Sequence, residues 1–306
     1  MNLERDFLSV DDLSPGELVS LLDGADQVKR DPDSWSHRLQ GRDIALIFEK
    51  PSTRTRVSFE VAIGAMGGRA VVLRGDELQL GRGETIEDTG RVLSRYVDAI
   101  VVRTFGQDRL ERLADAADVP VVNALSDFGH PCQCLADLQT LREKKGDLRG
   151  LALAYVGDGN NVAHSLMFGT SKMGMDVRIA CPAGYEPFPQ VTERCIEIAE
   201  ETGGRVTVTN DVMDAVEGAD VLYTDVWVSM GQDEGRKREA FAGFQIRGEL
   251  IDRAADEVVV MHCLPAHRGE EITADVIDGP RSIVWDQAEN RLHSQKSLLA
   301  WLLDRD

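Results

Sequence analysis

The sequence predicts an α/β protein built from two doubly wound parallel-sheet domains. Short runs rich in Val, Ile, Leu and Ala recur along the chain, and longer helical patterns separate them. Runs of this kind are typical of buried parallel strands. Because strand and helix alternate, right-handed crossovers are expected to place helices on both faces of each sheet. A chain of 306 residues is long enough for two such domains.

The apolar runs are the predicted strands. The first sheet is expected to contain Ile44–Phe48, Ala70–Leu73, Ala99–Val102 and Val119–Val122. The second is expected to contain Leu151–Val156, Val177–Ala180, Val206–Thr209, Val221–Thr224, Val258–Met261 and Ile283–Trp285. Before the first strand, Ser14 and Glu17 form a capping box, which predicts a helix that begins there and continues to about Val28.

The most polar break in the chain, from Lys144 to Asp147, marks the predicted domain boundary. It lies between a long predicted helix and the apolar run that begins at Leu151, as expected for an exposed connection. We therefore expect a first domain at residues 1–146 and a second at residues 147–285. The remaining segment, 286–306, is amphipathic and is predicted to be a helix that crosses back to the first domain.

Composition excludes several kinds of partner. Asp and Glu outnumber Lys and Arg by 53 to 34, and a net charge of -19 disfavours binding to nucleic acid or to an anionic membrane. The first residues are charged, and no apolar run approaches the roughly 20 residues of a membrane span. Five cysteines without a disulfide-scaffold spacing are expected to be free thiols. These observations predict a cytoplasmic protein.

The choice of basic residues suggests a salt-rich environment. Lysines are few, and most of the cationic side chains are arginine. An acidic, lysine-poor surface suits a cytoplasm in which counterions screen the self-repulsion of the folded chain. We therefore expect a halophilic source. The alternative is an ordinary acidic protein of a mesophile, because net charge alone is a loose indicator.

The segment Ser52-Thr53-Arg54-Thr55-Arg56 is a predicted anion site. It lies where the first strand should end and a helix should begin. The first amides of a helix lack intrahelical partners, and the helix dipole is positive there, so a phosphate binds readily. Arginine adds forked donors that match phosphate oxygens, and Arg103 follows another strand of the same sheet. The alternative is an N-cap serine followed by surface arginines.

Other polar side chains also follow predicted strands, where ligands of open α/β sheets bind. His130 and Gln133, on either side of Pro131 and Cys132, suit a small planar carbonyl or amide group. In the second domain Asn160 and Asn161 suit a polar substrate, and Asp225 suits an ammonium group. Cys263 is either a nucleophile or a small buried residue.

Neither a cofactor nor a metal is predicted. The segment from Gly157 to Asn161 resembles a dinucleotide fingerprint, but Val162 stands where a third glycine or an alanine is needed. Gly81 to Thr85 lacks the Gly-Lys-Ser/Thr of a nucleotide-binding loop. The pair Cys132 and Cys134 has no matching second pair of metal ligands.

Four of these segments together resemble the aspartate/ornithine transcarbamylase family. Ser52 to Arg56 and His130 to Gln133 are similar to its carbamoyl-phosphate signatures. Asp225 to Gly231, with its Ser-Met-Gly, and His262-Cys263-Leu264-Pro265 are similar to the substrate loops of the ornithine-type members. The aspartate-type members lack this second pair of segments and carry a lysine where this chain has Arg82.

The resemblance implies a role for each of these residues. The implied carbamoyl-phosphate contacts are Ser52, Thr53, Arg54, Thr55, Arg103, His130, Pro131, Cys132, Gln133, Cys263, Leu264, Arg291 and Gln79, the last from a neighbouring subunit. The implied ornithine contacts are Asn161, Asp225, Ser229 and Met230. Thr55, Arg103, His130 and Cys263 are the implied catalytic residues, with Cys263 orienting the substrate amine rather than acting as a nucleophile.

The implied reaction transfers the carbamoyl group of carbamoyl phosphate to the δ-amine of L-ornithine, giving L-citrulline and phosphate in arginine metabolism. The implied assembly is a homotrimer or a group of trimers, and the residues leave the physiological direction open. Two alternatives stand beside this expectation. One is a transcarbamylase that acts on aspartate, putrescine or an acetylated ornithine, and the other is a two-lobed protein that binds a small amino acid without converting it.

Overall fold

The computed structural model describes residues 6–75, 83–227 and 239–304. Contacts within the chain divide it into two compact units. The first unit comprises Met1–Gln139 and Asn290–Asp306, and the second comprises Thr140–Glu289. The domain limits expected from the sequence, after residues 146 and 285, lie a few residues from these divisions and stay predictions.

The sheet of the first unit has four parallel strands, in the order β2-β1-β3-β4. They are β1 Asp43–Phe48, β2 Arg69–Arg74, β3 Ala99–Arg103 and β4 Val121–Leu125. In the register of β1 and β3, Phe48 lies opposite Arg103. The carboxyl ends of these two strands therefore meet at one edge of the sheet.

The sheet of the second unit has five parallel strands, in the order β7-β6-β5-β8-β9. They are β5 Ala152–Val156, β6 Asp176–Ala180, β7 Arg205–Thr209, β8 Val221–Thr224 and β9 Val259–His262. The strand order reverses beside β5, which pairs with β6 on one side and β8 on the other. Such a reversal opens a crevice at the carboxyl ends of the strands.

Helices connect the strands of both sheets. In the described part of the chain they are α1 Pro15–Arg30, α2 Thr53–Ala65, α3 Ile86–Leu93, α4 Gln107–Ala116, α5 Pro131–Lys145, α6 Asn161–Lys172, α7 Pro189–Thr202, α8 Val212–Val216, α9 Gly248–Arg253, α10 Ala274–Ile277 and α11 Val284–Leu303. Ser14 caps α1 through the predicted capping box with Glu17. Among the described residues, no helix combines the length and apolar character that crossing a bilayer requires.

The predicted fold class is confirmed, because both sheets are parallel and helices alternate with the strands. The strand predicted at Ile283–Trp285 is wrong. Only Ser282 bridges Val260, and the amide of Ile283 donates to the Val260 carbonyl at 3.0 Å before helix α11 begins at Val284. The helical pattern that runs to Leu303 therefore begins earlier than predicted and includes most of the short apolar run.

Strand β4 is displaced from its predicted position, Val119–Val122. It begins at Val121 because Pro120 has no N–H to donate to the ladder, although the Pro120 carbonyl accepts from Ile100 at 2.9 Å. The displacement moves Asn123 into the strand, where it is fully buried. The residue at which a strand beside proline joins the sheet therefore depends on its hydrogen bonds to the neighbouring strand.

The C-terminal residues of α11 pack against α1 within the first unit. The Ser297 hydroxyl donates to the Leu21 carbonyl at 2.7 Å, and the Lys29 ammonium donates to the Asn290 side chain at 2.8 Å. Gly24 permits the close approach, because a Cβ at this position would lie 2.4 Å from Ser297 Oγ.

Gly24→Ala is expected to lower the free energy of unfolding by about 1–3 kcal/mol, because the added methyl group must displace Ser297 from its hydrogen bond. Gly16→Ala is the matched control in the same helix, since a Cβ there meets no atom within 4 Å. It should be neutral or stabilise by up to about 1 kcal/mol. Urea unfolding measures both, and an equal effect of the two substitutions would contradict the packing argument.

Candidate active site

The N-terminus of α2 follows β1 and carries the predicted anion-binding residues. Ser52 caps the helix, with its hydroxyl accepting from the Thr55 amide at 3.3 Å and donating to the Thr55 hydroxyl at 3.1 Å. The first turn contains no acidic residue. Thr53 and Arg54 are exposed, whereas Thr55 is buried. The helix end therefore presents backbone amides, hydroxyls and a guanidinium group, which suit an anion.

A buried contact joins Arg291 to two residues of the predicted site in the first unit. Arg291 donates to the Gln133 side-chain oxygen at 2.7 Å and to the Thr55 hydroxyl at 3.4 Å. The Gln133 amide group in turn donates to Asp137 at 2.8 Å. Arg291 and Gln133 are nearly inaccessible to solvent. Gln133 is thus held in a single orientation, with its oxygen toward Arg291 and its nitrogen toward Asp137.

His130 lies among three arginines. Burial lowers the pKa of its imidazole well below the ordinary value, and the positive charges of Arg291, Arg103 and Arg54 lower it further. The imidazole is therefore neutral at physiological pH. The influence of these charges shows that Arg54 on α2, Arg103 on β3 and Arg291 on α11 lie near His130, which precedes α5 in the first unit.

Pro131 begins α5, and Cys132 follows it in the protein interior. The Cys132 thiol contacts the Asn123 carbonyl at 3.4 Å, and burial raises its pKa to about 12. A thiol in this state is a packing group and not a reactive one. Because the Cys132 side chain is inaccessible to solvent, we expect any contact of this residue with a ligand to use its backbone.

Beside Ser52 and Thr53 the first unit contains a cavity of about 770 Å³. Its lining includes Arg56 of the predicted anion segment and two arginines that the sequence analysis did not single out, Arg74 and Arg109. Arg109 is paired with Glu49 at 2.8 Å, and Arg56 is paired with Glu60 at 2.9 Å. Arg74 is the last residue of β2, so its position at a strand end was the signal that could have identified it.

In the second unit Asp225 and Cys263 follow neighbouring strands and contact each other. The Cys263 thiol donates to one carboxylate oxygen of Asp225 at 3.0 Å, and the Asn160 side chain donates to the other at 3.0 Å. Asn160 also caps α6, accepting from the amides of Val162 and Ala163. The resemblance implies a role for Asn161, the first residue of α6, but Asn160 is the residue that holds the Asp225 carboxylate.

His262, although adjacent to Cys263, has both ring nitrogens engaged elsewhere. Its Nδ1 accepts from the Leu264 amide at 2.8 Å, so its proton lies on Nε2, which donates to Glu271 at 3.0 Å. Leu264 has φ 56° and precedes a cis bond to Pro265. His262 therefore holds the turn that carries Cys263 and Leu264 and is not a base for the thiol. No feature of the sequence indicated that Glu271 belongs to the site, because this residue does not directly follow a strand.

Three predicted site residues, Gln79, Ser229 and Met230, lie outside the described residues, as does Arg82. Two groups of described side chains have potential metal-ligating atoms within 4.8 Å of one another: Asp225, His262 and Cys263, and His267, Glu270 and Glu271. In the first group the thiol is bonded to Asp225, and the His262 nitrogens are both occupied.

The His130 imidazole should stay neutral while the pH is lowered through 6.5, the ordinary pKa of histidine, because burial and three guanidinium groups oppose its protonation. The unfolded chain takes up this proton near pH 6.5 and the native chain does not, so stability should fall below that pH. NMR of the imidazole carbons measures the protonation, with His130→Gln identifying the signal. Protonation at or above pH 6.5 would contradict this expectation.

Comparisons with known proteins agree with both units. The carbamoyl-P binding domain of the aspartate/ornithine carbamoyltransferases matches residues 5–143, and their Asp/Orn binding domain matches residues 149–302. The ornithine carbamoyltransferase of Acidothermus cellulolyticus is 60% identical over 302 residues, which are 98% of this chain and 97% of that protein. That of Mycolicibacterium gilvum is 58% identical over 306 residues, 99% of this chain and 100% of that protein.

Solved structures show the same similarity. The ornithine carbamoyltransferase of Pyrococcus furiosus superimposes with a TM-score of 0.95 at 52% identity, over 98% of this chain and 97% of that one. The ornithine carbamoyltransferase of Thermus thermophilus superimposes with a TM-score of 0.90 at 46% identity, over 99% of this chain and 100% of that one. Sequence and structure therefore agree along nearly the whole length, and the chain belongs to the aspartate/ornithine carbamoyltransferase family.

Proposed function

We propose that this chain is an ornithine carbamoyltransferase, which transfers the carbamoyl group of carbamoyl phosphate to the δ-amine of L-ornithine and gives L-citrulline and phosphate. The observation that carries the proposal is the buried contact of Arg291 with Gln133 and Thr55, beside a neutral His130. This arrangement provides donors for an acyl phosphate at the N-terminus of α2. The proposed acceptor follows from the Asp225–Cys263 pair and from the relatives.

The first unit is the proposed carbamoyl-phosphate site. The amides that begin α2, with Ser52, Thr53, Arg54, Thr55 and Arg103, hold the phosphate. Because Arg291 and Asp137 fix the Gln133 side chain, its oxygen is oriented to accept from the carbamoyl amino group. The backbone of Pro131 and Cys132, at the start of α5, provides further contacts to carbamoyl phosphate.

Positioned donors supply most of the catalysis in this proposal. Negative charge develops on the carbonyl oxygen as the amine attacks, and Thr55, Arg103 and the neutral imidazole of His130 are the donors for it. These groups are oriented before the reaction, so little reorganisation is needed. Phosphate is a good leaving group that the arginines stabilise, and the reaction requires no covalent enzyme intermediate.

The second unit is the proposed ornithine site. The Asp225 carboxylate, held by Asn160 and Cys263, receives the α-ammonium group of ornithine. The Cys263 thiol carries its proton toward Asp225, so it is a hydrogen-bonding group and not a nucleophile. Cys263 and the Leu264 backbone orient the δ-amine and contact carbamoyl phosphate. Asn161, Ser229 and Met230 are the remaining proposed contacts of ornithine.

We further infer a homotrimer in the cytoplasm, with Gln79 contributed by a neighbouring subunit. Support comes from exposed apolar side chains in the first unit. Val57 and Val61, one helical turn apart on α2, are 50% and 49% exposed, and Val71 on the edge strand β2 is 36% exposed. Exposed apolar side chains and a strand at the edge of a sheet are suited to contact with another chain.

Phosphate release and citrulline formation test the activity. The protein is incubated in molar KCl with carbamoyl phosphate and, in separate reactions, with ornithine, aspartate, putrescine or acetylornithine. Citrulline with ornithine alone supports the proposal, and turnover with another amine would replace the proposed substrate. Binding of an amino acid without phosphate release would identify a binding protein instead.

Two substitutions separate the roles of the units. Arg103→Ala should lower kcat by about 100-fold or more, because one donor to the developing charge is lost. Cys263→Ser should raise the KM for ornithine and leave carbamoyl-phosphate binding, measured by calorimetry, largely unchanged, because Cys263 is only one of the many proposed carbamoyl-phosphate contacts and most of the others lie in the first unit. Cys195→Ser, a thiol change in the core of the second unit, is the control and should leave kinetics unaltered. A Cys263→Ser variant that loses carbamoyl-phosphate binding but keeps its KM for ornithine would contradict these roles.

The halophilic source is also a proposal, supported by the net charge of -19. Dialysis from molar KCl into dilute buffer should lower the midpoint of thermal unfolding and dissociate the trimer, because the screening of surface repulsion is lost. Calorimetry and light scattering measure the two effects. A protein that keeps its midpoint and its mass in dilute buffer would be an ordinary acidic protein.

A further inference from the structure

We propose that His267, Glu270 and Glu271 form a binding site for a divalent transition-metal ion of the Zn²⁺ class. The site lies in the second unit, on the segment between β9 and α10, and none of its ligands belongs to the proposed substrate contacts. The ligating atoms of the three side chains lie within 4.8 Å of one another. The inference does not depend on the proposed activity.

The Glu271 carboxylate is buried, and only one of its two oxygens accepts hydrogen bonds from described residues. Glu271 is fully buried, and its Oε1 accepts from His262 Nε2 at 3.0 Å and from the His267 amide at 2.6 Å. Its Oε2 is also inaccessible to water but accepts no hydrogen bond from any described residue. A buried carboxylate oxygen without a donor is unfavourable, and a bound cation supplies the missing interaction.

The His267 imidazole lies near the second oxygen of this carboxylate. His267 Nδ1 lies 3.9 Å from Glu271 Oε2, and the His267 side chain is 51% exposed while that of Glu271 is buried. This separation is too long for a hydrogen bond. Two ligands of a tetrahedral Zn²⁺, each at about 2.0 Å from the ion, are about 3.3 Å apart. A small rotation of the exposed imidazole therefore brings both atoms to a shared ion.

The segment that carries the three ligands is held in place by its own contacts. The Gln245 side chain donates to the carbonyls of Gly269 and Glu270 at 2.8 and 2.7 Å. The Gly269 amide donates to the Ile272 carbonyl at 2.8 Å, and Arg268 forms a two-bond pair with Asp278. The ligands are thus presented by a defined turn, which reduces the entropy lost on binding an ion.

The donor set indicates the class of ion. One imidazole and two carboxylates suit Zn²⁺, Co²⁺ or Ni²⁺, whereas Ca²⁺ takes six to eight oxygen ligands. Three protein ligands leave a fourth position for water. The two carboxylates balance the charge of the ion, so a neutral imidazole completes an electrically neutral site.

Occupation of this site would stabilise the turn that carries Cys263. Glu271 receives the Nε2–H of His262 on one oxygen and would bind the ion with the other. His262 in turn accepts from the Leu264 amide. A metal ion bound to Glu271 thus stabilises a hydrogen-bonded chain that ends at residues 262–264, and thermal unfolding should show the effect.

Co²⁺ binding to the full-length protein tests the proposal. The parent carries Cys263→Ser, because Asp225, His262 and Cys263 are the other described group whose potential ligating atoms lie within 4.8 Å of one another, and the substitution removes its thiol. After treatment with a chelator, Co²⁺ is titrated and followed by its visible absorption, with stoichiometry from equilibrium dialysis. We expect one Co²⁺ per chain, displaced by Zn²⁺, and a higher midpoint of thermal unfolding with Zn²⁺.

Variants assign the ion to its ligands. His267→Ala, and separately Glu270→Gln, should lower the affinity by about tenfold or more, since loss of a ligand costs at least as much as loss of its supporting partner. His37→Ala removes an exposed imidazole of the first unit and should leave the affinity unchanged. Circular dichroism verifies folding. A parent that binds no Co²⁺, or an affinity unaltered by His267→Ala, would overturn the proposal.

Discussion

The common edge formed by the carboxyl ends of parallel strands is the constraint on which both candidate sites depend. In the first unit Phe48 lies opposite Arg103, and in the second unit Thr224 lies opposite His262. Residues that directly follow paired strands must therefore come close together. This is why Asp225 and Cys263, far apart in sequence, are joined by a hydrogen bond.

Each of these edges carries polar side chains whose orientation is fixed by hydrogen bonds to residues of other segments. Gln133 is held between Arg291 and Asp137, and the Asp225 carboxylate receives donors from Asn160 and Cys263. Burying such groups is costly unless their hydrogen bonds are made. Once made, they present donors and acceptors in defined directions, which favours transition-state stabilisation over simple binding.

The neighbours of Cys263 decide its chemistry. A histidine adjacent in sequence to a cysteine suggests a base for a nucleophilic thiol. The structure excludes that role, because Nδ1 of His262 is occupied by the Leu264 amide and Nε2 faces Glu271. Cys263 instead makes a hydrogen bond to a carboxylate, although the histidine beside it in the sequence suggests a nucleophile.

The fold class and most of the strands could be predicted from the sequence, because buried parallel strands are short apolar runs that a local pattern reveals. The sequence also located the polar loops after β1, β3, β8 and β9, since strand ends follow from the strands. The packed chain was needed to show that Ile283 precedes a helix and that β4 begins at Val121. It alone identified Asp137, Asn160 and Glu271 as the holders of Gln133, Asp225 and His262. The physical reason is that a hydrogen bond between side chains depends on the packing of separate elements, which no local periodicity encodes.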